Sequence, residues 1–204
     1  MGSGQPEGDA VWQAVLGILS RSDVAALRRW LARFKAGDPV ALATEQWTSF
    51  LQLAERKAGG QPELTREVLE ELAAFYRQKG DLAAEEGCLA RLLAVAAESN
   101  RDAVAGRLLA VYLRQSKVDE AAALVQDAIE TRDMAAQDPI VLAVEGYLGE
   151  KDKGPERLKV VGEVAGKVEA KSPRPGWEQV KQQWLGREDT SEGRSQEGQA
   201  RAAN

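Results

Sequence analysis

Apolar residues recur along this chain at intervals of three and four, and nowhere alternate with the period of two that a half-buried strand requires. The first such stretch predicts a helix over 10–19, with Val11, Trp12, Val15, Leu16 and Leu19 on one face. Ser20-Arg21-Ser22-Asp23 interrupts it and offers N-cap oxygens to a helix over 24–35 built on Leu27, Trp30, Leu31 and Phe34. Gly37-Asp38-Pro39 predicts a stop and a new start, with Asp38 as N-cap and Pro39 in the first turn. The helix that follows carries Val40, Trp47, Phe50, Leu51 and Leu53 up to Gly59-Gly60. Pro62 opens another, whose wide apolar stripe is Leu64, Val68, Leu69, Leu72, Phe75 and Tyr76. Gly80-Asp81 turns the chain and 82–97 runs back. Asn100-Arg101-Asp102 predicts the cap of a helix through Leu108, Leu109 and Tyr112; Ser116 to Asp119 is a turn, and 120–130 returns. Asp138-Pro139 repeats the N-cap-plus-proline device ahead of 140–148, and Gly154-Pro155 starts a helix with Leu158, Val161, Val164 and Val168. Ser172-Pro173-Arg174-Pro175 reads as a linker and 177–185 as a last short helix. The stretch 186–204 is polar and lacks apolar periodicity, which predicts a disordered tail.

The pattern therefore predicts an all-α chain. It divides into a flexible start (1–9), N-terminal helices (10–60), helical repeats (61–171), a linker with a capping helix (172–185) and the tail (186–204). With 44% hydrophobic and 29% charged residues, the 204-residue chain has enough apolar material for a sizeable core. Ala and Leu fill most apolar positions, as suits close-packed helices.

Charge and chemistry narrow the function. A net charge of −5 supplies no dominant basic face for nucleic acid. The absence of histidine and the single cysteine, Cys88, remove His-based acid/base and nucleophile activation and nearly all zinc chemistry. One cysteine forms no internal disulfide, which agrees with a reducing, cytoplasmic setting. No stretch reaches the ~18 apolar residues of a membrane span. No phosphate-cradling GxxxxGK[ST] or GxGxxG is present. Adjacent carboxylates such as Glu70-Glu71 and Glu85-Glu86 point in different directions on a helix, so they form no acid/base pair. The expectation is no catalytic residue, no cofactor and no metal.

Hairpins recur at about 34 to 36 residues, the period of a helical solenoid. Aligning Gly80 with Ser116 sets Leu72 against Leu108, Ala73 against Leu109 and Tyr76 against Tyr112; Tyr147 stands 35 residues further on, before the turn at Gly154. Leu72-Ala73 with Tyr76 and Gly80 resembles the first helix of a tetratricopeptide repeat, and Val118-Asp119-Glu120-Ala121 with Ala128 is similar to its second. The resemblance covers roughly Pro62 to Ala170, and more weakly Ser22 to Gly59. Glu85 and Leu109 depart from it, since the family places small residues there, and the third copy keeps little beyond Tyr147 and its turn. It implies a right-handed superhelical stack of antiparallel hairpins that presents a curved surface to a protein partner.

Carried onto this sequence, the resemblance implies that Arg77, Arg107 and Arg114 lie near a concave groove, where they would meet carboxylates. An ordinary solvated helix face accounts for the same residues. The family's C-terminal-carboxylate clamp is not implied, because Glu70, Ala74 and Gly106 occupy its positions. Trp177 and Trp184 share one helical face with Val180, either capping the last hairpin or docking on a partner. Trp12, Trp30 and Trp47 read as core anchors, and Cys88 as a small buried hydrophobe. The candidate partner-contacting residues are thus Arg77, Arg107, Arg114, Glu70, Trp177 and Trp184. The expected function is a protein-interaction module, a scaffold, adaptor or assembly factor, with self-association as a further possibility. The alternatives are a structural segment of a larger multi-repeat protein and, behind it, an enzyme subunit.

Overall fold

In the computed structural model the chain is described over residues 5–35, 44–59, 61–132, 134–150, 154–171 and 176–186, the side chains of 5–11, 34–35 and 44–45 excepted. The expected helix start at Asp38-Pro39, the 172–175 linker and the 187–204 tail lie outside these residues. Every regular element among the described residues is an α-helix: α1 (Gln5–Arg21), α2 (Val24–Lys35), α3 (Thr44–Lys57), α4 (Pro62–Lys79), α5 (Leu82–Val95), α6 (Glu98–Arg114), α7 (Val118–Thr131), α8 (Pro139–Gly149), α9 (Gly154–Glu169) and α10 (Trp177–Leu185). They fall into two compact units, Met1–Val95 and Ala96–Asn204.

In the first unit α3 packs on α1 and α4, and α4 on α5. α1 begins at Gln5, five residues ahead of the expected start. Pro6 sits in its first turn, where a missing N–H breaks no helical hydrogen bond. Asp23 caps α2 as its position predicts, with Oδ1 accepting from the Ala26 N–H at 2.6 Å. The core is built from Leu19, Leu27, Leu31, Phe50, Leu51, Leu64, Val68, Leu69, Leu89 and Leu92, all buried. Each such side chain removed from water contributes about 1.5–3 kcal/mol. Ion pairs set neighbours in register at the surface: Arg28 of α2 reaches Glu67 of α4 at 2.5 Å, and Arg91 of α5 reaches Glu55 of α3. Of the three expected tryptophan anchors, Trp12 is buried. Trp30 and Trp47 are only half-buried, Trp30 beneath the Arg33 guanidinium and Trp47 stacked on Phe50.

The second unit packs α6 against α8 and α7 against α9 as two layers, with α10 against both α8 and α9. Its core runs from Leu109 and Leu113 through Val125, Ile129, Ile140, Val144, Val161 and Val168 to Trp177 and Trp184. α6 and α8 approach closely at Gly106, where an added Cβ would lie 2.5 Å from the Pro139 carbonyl oxygen. The Asp138 carboxylate caps α8, accepting from the Ile140 N–H at 2.8 Å, and it is held in turn by Arg132, which also reaches Asp102 at 2.9 Å. Asn100-Arg101-Asp102 does not cap α6. That helix starts at Glu98 with Ala97 at the N-cap and no side-chain cap bond. Only Ala96 and Ala97 separate it from α5, so the polar triplet falls inside the first turns, and Glu98 supplies the acidic residue that the positive helix end favours.

The turns after α4 and α6 are duplicates. Gly80 and Ser116, 36 residues apart, both adopt left-handed backbone, with φ of 71° and 56°. The Asp81 N–H donates to the Tyr76 carbonyl at 3.0 Å, as the Lys117 N–H does to the Tyr112 carbonyl at 2.9 Å. Gly80 N–H to Arg77 O is likewise matched by Ser116 N–H to Leu113 O. This is the wrapped C-cap that satisfies a helix's last carbonyls. α8 ends differently, on extended backbone at Glu150.

Candidate functional site

α6 is buried along two sides, by Val104, Leu108 and Val111 on one and by Gly106, Leu109 and Leu113 on the other. Between them a narrow outward strip remains: Ala103, Arg107, Ala110 and Arg114, spaced four, three and four residues apart. On α8, Ile140, Val141, Val144 and Tyr147 face inward and leave Leu142, Gly146 and Gly149 outward. Leu142 is 51% exposed; among the described residues the only other large hydrophobic so open is Ile18, at 58%.

The C-terminal ends of the two helices are tied together. Arg114 donates from Nε and Nη2 to Glu150 Oε1, at 2.8 and 2.6 Å. Arg157 of α9 meets the second oxygen, with Nη2 to Oε2 at 3.3 Å, and also donates to the Glu150 backbone carbonyl. Its guanidinium lies over the Tyr147 ring, 5.5 Å from the centroid. The Glu150 carboxylate is therefore held between two arginines, which fixes the C-terminal edge of the face. Burial raises the Tyr147 phenol above its ordinary range, and the adjoining Arg157 opposes that shift. Glu145, at the other side of α8, accepts from Gln183 of α10 at 2.8 Å. The outward sides of α6 and α8 thus meet at their C-terminal ends, with Leu142 exposed on α8 and Arg107 two helical turns, about 10 Å, from Arg114.

The six sequence candidates separate. Arg107 and Arg114 come together on this face, Arg107 half-exposed and Arg114 engaged with Glu150. Arg77 is exposed on α4 and Glu70 half-buried on the same helix, both in the first unit. Trp177 and Trp184 are 2% and 0% exposed and pack edge to face at 5.4 Å inside the second unit. Both rings belong to that unit's core, and burial leaves neither ring surface for a partner. Leu142, Glu150 and Arg157 had no distinguishing pattern in the sequence.

Comparison of the chain with protein-family models, with curated proteins and with solved structures found no match. The site's own chemistry carries the reading. Among the described residues no group of three His, Cys, Asp or Glu could hold a metal ion. No described helix is long and apolar enough to cross a membrane. Cys88 is buried, and burial, with Glu55 adding, pushes its thiol up to about 11. At neutral pH it stays protonated and is no nucleophile.

Proposed function

We propose that this chain is a protein-interaction module whose α6/α8 face binds a segment of another protein, and that the paired hairpins belong to a tetratricopeptide-like stack. The observation that carries the reading is Leu142, half in water on α8 one turn before Gly146, on the helix that packs beside the α6 strip of Ala103, Arg107, Ala110 and Arg114. An apolar residue with small neighbours and charged edges fits a docked backbone. The clamp on Glu150 supports it by holding one edge rigid before any partner arrives. The duplicated turns after α4 and α6 support the repeat reading.

Photo-crosslinking tests this directly. A benzophenone side chain placed at Leu142 should capture a partner from the source lysate, whereas one at the exposed Ala90 of α5 should not. The same partner should be lost from Leu142→Asp with Arg107→Glu, once circular dichroism has shown that variant to be folded. Equal capture from both positions, or full retention by the double variant, would remove the assignment to this face.

A further inference from the structure

We propose that this chain also binds a second copy of itself head to tail, the outward strip of α1 from one copy seating in a groove between α9 and α10 of the other. The groove has a volume of about 370 Å³ and is lined by Pro155, Leu158, Gly162 and Leu185, with Lys159 at its edge. It arises because α10 lies against α8 and α9 while, among the described residues, the α7 layer stops at α9. The outer side of α9 and the end of α10 thus form a step, which the missing side chain at Gly162 deepens.

Residues 187–204 do not supply a filler, since they contain no apolar residue larger than alanine. What fits is a helix with one apolar knob among small neighbours, so that the backbones approach. α1 offers that. Ile18 is 58% exposed, with Ala14 one turn before it also exposed and Gly17 beside it half-buried. Arg21 follows one turn later and is exposed. The groove's surroundings complement it in charge: Glu156 and Glu163 stand exposed on α9, Glu163 4.0 Å from Lys159. An α1 strip with Ile18 in the groove brings Arg21 to that acidic border. Knob and groove lie on different elements, so the contact is heterologous and leaves each copy with one open end. Its small extent places it in the transient class, below ~1,200 Å² of buried surface.

Sedimentation velocity on the intact chain over a concentration series should show the mean mass rising beyond that of one chain. Ile18→Glu and Leu158→Glu should each stay monomeric at every concentration. Mixed in equal amounts they should form a dimer and stop there, because one variant keeps its groove and the other its knob. Leu142→Asp should associate as the intact chain does, which separates this contact from the α6/α8 face. If Leu158→Glu proves unfolded, the exposed Pro155→Glu takes its place. A monomeric intact chain at all concentrations, association that survives both variants, or variants that fail to complement would each overturn the proposal.

Discussion

Cys88 shows how much one side chain's surroundings settle. It sits on α5 with 7% of its surface exposed, near Glu55, Glu85 and Arg91, and burial is the main reason its thiol rises from an ordinary 9.0 to about 11. The folded chain then holds this proton more tightly than the unfolded chain. Between roughly pH 9 and 11 the folded state binds more protons, so stability falls as pH rises through that window and is unaffected below it. Urea titrations at pH 7.5 and 10.5 should therefore show a larger alkaline loss for the intact chain than for Cys88→Ala. Tyr147, also raised by burial, contributes in the same direction in both and cancels from the comparison. An equal loss in the two chains would remove the burial account of the thiol.

At the scale of elements, the boundaries set by stereochemistry were legible in the sequence. Pro62, Gly80, Asp138-Pro139 and Gly154-Pro155 each mark a helix end where they stand, because proline lacks an N–H and glycine accepts positive φ. Asn100-Arg101-Asp102 misled because a polar triplet that can cap a helix can equally lie in its first turns, and the two-residue gap after α5 decides between them. Arg107 and Arg114 are singled out by the resemblance, and their separation of seven residues puts them on one strip of α6. Leu142 was not, since Pro139–Gly149 is apolar almost throughout and has no polar stripe to set its phase. The duplicated turns turn the alignment of Gly80 with Ser116 into opposite predictions. Left-handed backbone costs an L-residue ~1–2 kcal/mol, partly offset by the unfolded-state freedom of glycine. Gly80→Ala should destabilise by about 1 kcal/mol and Ser116→Gly should stabilise by about 0.5 kcal/mol, read as opposite shifts of the urea midpoint at constant slope. Shifts of the same sign would mean that the two turns are not energetic equivalents.

Over the whole molecule, the division at Val95 and Ala96 leaves two units, each with its own core and its own ion-pair ties. The second has one continuous core from α6 to α10, closed at one end by the Trp177–Trp184 pair. It is also cross-tied by Arg132 to Asp102 and Asp138, and by Glu150 between Arg114 and Arg157. The first unit keeps Glu85 only 2% exposed on α5. Burying a carboxylate forfeits hydration that even a good partner only partly restores. That unit is cross-tied in its turn by Arg28 to Glu67 and by Arg91 to Glu55. Amide exchange should separate the units, because local opening energies follow core burial and satisfied backbone. Val144→Ala, which opens a cavity in the second unit's core, should speed exchange in α7, α8 and α9 at least tenfold while leaving α3 and α5 unchanged. If Val144→Ala speeds all five helices together, the two units open as one.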